Sequence, residues 1–311
     1  MKNYIKTSNI PNLSETIKEA ILIKKNPFEY SELGKNKTLV MLFFNSSLRT
    51  RLSTEKAAKN LGMDVMTLNV DSAWNLEFED GTVMNLGTTE HIKEAAKVIS
   101  QYADIIAVRA FPSLVDKAKD ESEIILNSFK TYATVPIINM ESSTAHPLQA
   151  LADAITISEL SKKKNPKVVL SWAPHPKALP HAVANSFVTM IQQLGVNFEI
   201  THPQGYELNP EITKNTRVNY DQEVALKDAD FVYVKNWSSY KDYGKVLNKD
   251  LDWMMTKAKL GDAKFMHCLP VRRNVVVEDA VLDSEQSIVI EQANNRTFAA
   301  QVVLKQILEN L

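Results

Sequence analysis

Apolar runs and stretches of helical period alternate along this chain. Thr38-Leu39-Val40-Met41-Leu42-Phe43-Phe44 is unbroken by charge and reads as a buried β-strand. Similar short runs predict strands at 64–69, 104–109, 135–140, 167–172, 196–201, 230–235, 264–268 and 287–291. Between them, apolar residues recur at three- and four-residue intervals over 54–61, 90–101, 146–160 and 182–194, predicting helices. Strands separated by helices require crossover connections, so the expected fold class is α/β, with parallel sheets covered on both faces.

A breakpoint falls near 141–146, where Glu141-Ser142-Ser143-Thr144 precedes a long helical stretch suited to bridge two α/β domains. The expected division is 1–144, 145–293 and a tail 294–311, whose helix 298–308 packs back on the first domain. No internal repeat or low-complexity tract interrupts this plan.

Charge narrows the partners. The 311 residues hold 36 Lys+Arg against 37 Asp+Glu, net −1, so no global field recruits nucleic acid or membrane. Anion sites must come from positioned groups. The single cysteine, Cys268, excludes an internal disulfide framework and fits a reducing cytoplasm. No apolar run reaches the ~18 residues of a membrane span, and the first thirty residues carry lysines and prolines rather than a leader core. Only eight glycines occur, and none forms G-x-G-x-x-G or G-x-x-x-x-G-K-[ST], which disfavours the usual dinucleotide and ATP sites. No zinc cluster is evident, and no metal or other cofactor is expected.

Ligands of parallel α/β folds sit beyond the carboxyl ends of the strands. Those ends carry Ser47-Leu48-Arg49-Thr50-Arg51; Arg109; Glu141 with His146-Pro147-Leu148-Gln149; Lys235-Asn236-Trp237; and His267-Cys268-Leu269-Pro270-Val271-Arg272-Arg273-Asn274. Ser47 to Thr50 place hydroxyls, backbone N–H groups and a guanidinium where a helix begins, which is how a fold grips phosphate. His146 and Gln149 are three apart at a second helix start and share a face. Taken singly each has an ordinary reading: an N-cap, a strand-end ion pair, a small buried thiol, a solvated basic pair. Their common position predicts one cleft. Trp74 follows a strand in the polar loop Asp71-Ser72-Ala73, which suggests a ligand lid or partner surface over a core role.

Together these strings resemble the aspartate and ornithine carbamoyltransferase family. Ser47-Leu48-Arg49-Thr50-Arg51 matches its S-x-R-T-R loop, His146-Pro147-Leu148-Gln149 its H-P-x-Q and His267-Cys268-Leu269-Pro270 its H-C-L-P, over nearly the whole chain. The S-M-G loop of ornithine carbamoyltransferases is absent. Trp172-Ala173-Pro174-His175-Pro176, Lys235-Asn236-Trp237 and 267–274 resemble the N-acylornithine branch instead. The resemblance implies that Ser47, Leu48, Arg49, Thr50, Arg109, His146, Pro147, Leu148, Gln149, Cys268, Leu269 and Arg296 contact carbamoyl phosphate. Trp74 would reach it across a subunit interface of a homotrimer. Arg49, Thr50, Arg109, His146, Gln149 and Cys268 would be the catalytic set. Thr89, Glu141, His175, Lys235, Leu269 and Arg272 would contact the N-acylornithine.

Acetyl-specific members of that branch carry a Glu just before the pair that here is Glu90-His91; this chain has Thr89. A glutamate would narrow the pocket and repel a succinyl carboxylate, and threonine removes both bulk and charge. Their lysine four residues beyond the first Arg of R-R-N is here Val276, and Arg272 is left to pair with the succinate end. The expected reaction is therefore carbamoyl transfer to the δ-amine of N2-succinyl-L-ornithine in arginine biosynthesis, with N-acetylornithine as the alternative substrate. A non-catalytic carbamoyl phosphate-binding paralogue and an unrelated phosphate-binding enzyme such as a kinase are the readings from other classes. Intact Arg49, Arg109, His146 and Gln149 weigh against the first, and the missing glycine loop against the second.

Overall fold

In the computed structural model, residues 1–70, 74–247 and 251–311 are described. They form two compact units: Met1–Leu148 with Arg296–Leu311, and Gln149–Asn295.

The first unit is built on a four-stranded parallel sheet of order β2-β1-β5-β6. Its strands are β1 (Thr38–Phe43), β2 (Asp64–Asn69), β5 (Ile105–Arg109) and β6 (Ile137–Glu141). A separate two-stranded pair joins β3 (Leu76–Glu77) to β4 (Glu90–His91). The β1, β5 and β6 runs are buried almost throughout, whereas the edge strand β2 is half exposed. This is why β1 and β5 are apolar except at an end residue while β2 mixes polar and apolar residues; buried β6 also carries Asn139 and Glu141. Val40, Leu42, Ile106 and Val108 pack with Ile92, Ala96, Ile99, Leu126 and Phe129 from two amphipathic helices.

The longer helices of this unit are α1 (Leu13–Lys25), α2 (Leu48–Asn60), α3 (Ile92–Ile99) and α4 (Ile124–Tyr132). α5 (Pro147–Leu160) carries the chain into the second unit, whose main helix is α6 (Ala182–Leu194); α7 (Val289–Leu308) carries it back. The returning half of α7 is fastened to the first unit by buried Asn60 Nδ2 donating to Gln301 Oε1 (2.9 Å) and by Gln306 donating to Glu19 (2.8 Å). This is the packing expected of the C-terminal helix.

The second unit holds a five-stranded parallel sheet, β11-β10-β7-β8-β9. Its strands are β7 (Lys167–Ala173), β8 (Asn197–Thr201), β9 (Arg217–Asn219), β10 (Phe231–Asn236) and β11 (Lys264–Met266). Successive side chains of β7 face opposite ways. Val168, Leu170 and Trp172 join Phe187 and Ile191 of α6, while Val169 and Ala173 join Val276, Val277 and Leu260.

One predicted element is corrected. The segment 287–291 is not a strand. Ser287 makes a single bridge to Phe265, and α7 begins at Val289. The β-branched triplet Ile288-Val289-Ile290 imitates a strand, but Ile288, Val289, Gln292, Asn295 and Arg296 are buried at helical spacing while Ile290 is exposed. The helix start expected at Ser47 to Thr50 is where α2 begins, at Leu48 with Ser47 as its cap, and the predicted stretch 54–61 is its later part.

Candidate active site

In the first unit, the carboxyl ends of β1, β5 and β6 supply the chemistry. Beyond β1 the chain turns through 44–47 into α2. The Ser47 hydroxyl accepts from the Thr50 N–H (3.2 Å), a side-chain cap on the first turn of α2. Leu48 lies well exposed at this turn, and Thr50 is buried.

The Thr50 hydroxyl is the hub of the cluster. Its oxygen accepts from Arg109 Nη1 (3.2 Å) and from Arg296 Nη2 (2.7 Å). With two guanidinium donors filling its lone pairs, the hydroxyl keeps its own proton to give to a ligand oxygen. Arg109 also pairs with the Glu141 carboxylate, and its guanidinium lies 4.3 Å from the centre of the Phe111 ring. His146 Nε2 stands 3.3 Å from the same carboxylate. Arg109, Glu141, His146 and Arg296 are all nine-tenths buried or more. Three cationic or hydrogen-bonding donors thus surround one carboxylate and one hydroxyl, a set that suits a small oxyanion carrying a carbonyl.

Trp74 and Thr89 are held elsewhere in this unit. The Trp74 indole N–H donates to Glu90 (2.9 Å), and its ring lines a cavity with Phe44, Val70, Leu76, Phe78 and Val83. Thr89, exposed, donates twice to the Asn75 carbonyl. Residues 71–73 of the loop before Trp74 lie outside the described residues.

In the second unit, β7, β10 and β11 end on the remaining candidates. His175 follows β7. Its Nδ1 donates to the Lys177 carbonyl (2.7 Å), leaving Nε2 to accept from Arg272 Nε (3.1 Å). Partial burial, and then the positive charges of Arg272, Lys235 and Lys177, hold the imidazole below its ordinary pKa. It is therefore neutral at pH 7, as an acceptor from arginine must be. The Arg272 side chain is held through its Nε, whereas Arg273 is tied through its Nη groups to Asp279 and Asp283. Lys235 is buried at the end of β10. Cys268 is half-buried, and Leu269 adopts a left-handed conformation with its N–H donating to His267 Nδ1 (2.9 Å).

Gln149, buried, donates its amide to Asp153 Oδ1 (2.7 Å). Asp153 escaped the motif reading, although it sits one helical turn after Gln149 and so on the same face. His267, read only as part of the H-C-L-P string, and Gln292, which no motif singles out, complete this buried network; Gln292 lies 139 residues from Asp153, a pairing no local pattern signals. Among the described residues there is no group of three or more His, Cys, Asp or Glu fit to hold a metal ion, and no helix long and apolar enough to cross a membrane.

Both halves of the chain resemble known proteins. The sequence model of the aspartate/ornithine carbamoyltransferase carbamoyl-P binding domain matches residues 2–159, and that of the Asp/Orn binding domain matches residues 180–307. The N-succinylornithine carbamoyltransferase of Bacteroides thetaiotaomicron is 50% identical over 100% of both chains. The N-acetylornithine carbamoyltransferase of Xylella fastidiosa (strain Temecula1) is 36% identical over 92% of this chain and 93% of its own. Among solved structures, a glutamate-to-alanine variant of N-acetyl-L-ornithine transcarbamylase, complexed with carbamyl phosphate and N-succinyl-L-norvaline, superposes with a TM-score of 0.92 at 34% identity. It covers 99% of this chain and 100% of its own. With both halves of its length matched, this chain belongs to the aspartate/ornithine carbamoyltransferase family.

Proposed function

We propose that this enzyme transfers the carbamoyl group of carbamoyl phosphate to the δ-amine of N2-succinyl-L-ornithine, giving N2-succinyl-L-citrulline and phosphate in arginine biosynthesis. The observation that carries the choice of acyl group is the difference in likeness: 50% identity to an N-succinylornithine carbamoyltransferase over the full length, against 36% to an N-acetylornithine enzyme. The Thr89 reading is independent support, since it places a small neutral residue where the acetyl branch carries a glutamate.

In this proposal the first unit binds carbamoyl phosphate. Arg49 and the N-terminus of α2 neutralise the leaving phosphate, and Thr50, Arg109 and His146 donate to the carbamoyl oxygen as it gains charge. Gln149, Cys268, Leu269 and Arg296 complete the carbamoyl phosphate contacts. The second unit, through His175, Lys235, Leu269 and Arg272, holds the acylated amino acid, with Glu141 contributing from the first. The attacking δ-amine must be neutral, although a free amine of this kind has a pKa of about 10.4. The nearby cations lower that value, and the departing phosphate accepts the proton lost as the C–N bond forms.

The assembly we propose is a cytoplasmic homotrimer with shared sites, supported by the exposed apolar side chains Leu48, Leu52, Met66 and Leu68 on α2 and β2. Sedimentation equilibrium should give three times the chain mass of 35.0 kDa, and a monomer would rule the trimer out. The decisive assay measures citrulline-type product from carbamoyl phosphate with ornithine, N-acetylornithine and N-succinylornithine in parallel. Turnover should be greatest with the succinyl substrate. Preference for N-acetylornithine would overturn the acyl assignment, and no product with any of the three would overturn the enzyme itself.

A further inference from the structure

The buried network behind Gln149 has a chemical polarity that matters for the carbamoyl group. Asp153, fully buried, presents one carboxylate oxygen to two amides: Gln149 Nε2 at 2.7 Å and Gln292 Nε2 at 2.7 Å. A carboxylate only accepts, so each glutamine must turn its –NH2 toward Asp153 and its carbonyl oxygen away. For Gln292 the consequence is visible, because its Oε1 accepts from the His267 N–H (3.0 Å) at the start of the H-C-L-P turn. For Gln149 the same constraint turns Oε1 away from Asp153.

Without such a partner a glutamine amide has two faces of nearly equal shape, one donor and one acceptor. The carbamoyl group of the donor substrate carries an –NH2, which needs an acceptor. We infer that Asp153 is a positioning residue for the transfer: it sets the Gln149 amide so that Oε1, not Nε2, meets the carbamoyl –NH2. The inference rests on the carbamoyl phosphate reading above for the identity of the ligand, and on the hydrogen bonds alone for the orientation. The same carboxylate reaches the H-C-L-P turn through Gln292, so one buried charge fixes two ligand-facing segments of the second unit.

The test reverses the polarity one residue at a time. In Gln149→Glu, two carboxylates meet at hydrogen-bond distance and must share a proton. The protonated glutamate reproduces the native arrangement, with its O–H on Asp153 and its carbonyl oxygen on the ligand. Asp153 is faced by Gln149 on its own helix and by Gln292 on α7, and Gln292 in turn accepts from the backbone N–H of the titratable residue His267. The activity of Gln149→Glu relative to the native enzyme should therefore rise about tenfold or more as pH falls from 8 to 6, each pH unit being worth a factor of ten in proton occupancy. Adding Asp153→Asn supplies an amide donor to the introduced glutamate. The double variant should recover turnover at pH 8 by about tenfold over the single variant and lose the pH dependence. Its KM for the acylated amino acid should stay near the native value.

A second readout needs no turnover. The melting temperature of Gln149→Glu should fall relative to native protein as pH rises, because the raised pKa of the introduced acid supplies stability only below it. Asp153→Asn should remove that fall. A flat pH ratio in the single variant, or a double variant no better than the single, overturns the assignment of Asp153. Should native protein lack turnover while the melting behaviour follows this pattern, the orientation stands and the carbamoyl phosphate reading fails.

Discussion

Arg109 does two jobs through one guanidinium, and they can be separated. It donates to the Thr50 hydroxyl, and it compensates the Glu141 carboxylate in a site where both are more than nine-tenths buried. Removing one member of a buried pair leaves an uncompensated charge, at a cost of roughly 3–5 kcal/mol. Losing one donor to a developing oxyanion costs turnover by itself, roughly tenfold as a floor. Arg109→Ala should therefore lose both stability and kcat. In Arg109→Ala with Glu141→Gln the melting temperature should recover while kcat stays low. Full recovery of kcat would show that Arg109 serves only the ion pair.

Thr89 poses the opposite case, a residue with no strong contact that we propose sets selectivity. Its hydroxyl and N–H both go to the Asn75 carbonyl, so replacement leaves no buried group stranded. Thr89→Glu should move preference from the succinyl to the acetyl substrate in a competition assay, and an unchanged ratio would remove this residue from the acyl pocket. At this scale the motifs were legible because phosphate and carbonyl recognition needs particular side chains at particular spacings. The partners that orient them were not. Glu141 was expected only as a ligand contact, and its ion pair with Arg109 joins residues 32 apart in sequence, which no local pattern encodes.

At the scale of elements, turn chemistry decides stability at two helix ends that look alike. α2 ends before Gly62 and α6 before Gly195, each with positive φ (82° and 71°). A β-carbon at Gly195 would meet nothing within 4 Å, whereas at Gly62 it would lie 1.9 Å from the Ser31 carbonyl oxygen. Gly195→Ala should cost about 1 kcal/mol, the conformational penalty alone. Gly62→Ala adds a collision with backbone and should cost roughly 2–4 kcal/mol. Urea midpoints of the two variants test this, and equal losses would contradict it. Strands such as β1, β7 and β10 could be read from apolar runs because parallel sheets are covered on both faces. The short β3, β4 and β9 were missed, having too few residues for any period to register. The segment 287–291 failed because three β-branched residues outweigh, in a short window, a helical period that emerges only over four turns.

The whole molecule depends on a chain that leaves its first unit and returns. Residues 296–311 belong to that unit although some 150 residues of the second intervene. Val302, Val303, Leu304 and Ile307 on the returning half of α7 are fully buried. Burying side chains of this size contributes roughly 1.5–3 kcal/mol each. The four together reach about 6–12 kcal/mol, comparable to the total stability of a domain, about 5–15 kcal/mol. Lys305 adds an ion pair with Glu19 (2.7 Å) from α1, a smaller effect at a partly exposed site. A chain ending at Asn295 should therefore lose the first unit and keep the second. Hydrogen exchange would read this directly: the β1 and β5 amides of Val40, Leu42 and Ile106 should exchange freely, while those of Val169 and Val232 in β7 and β10 stay protected. Equal protection of both sets in the shortened chain would mean that residues 1–148 hold together unaided. In that event the returning helix must serve chiefly to deliver Arg296 to the Thr50 hydroxyl.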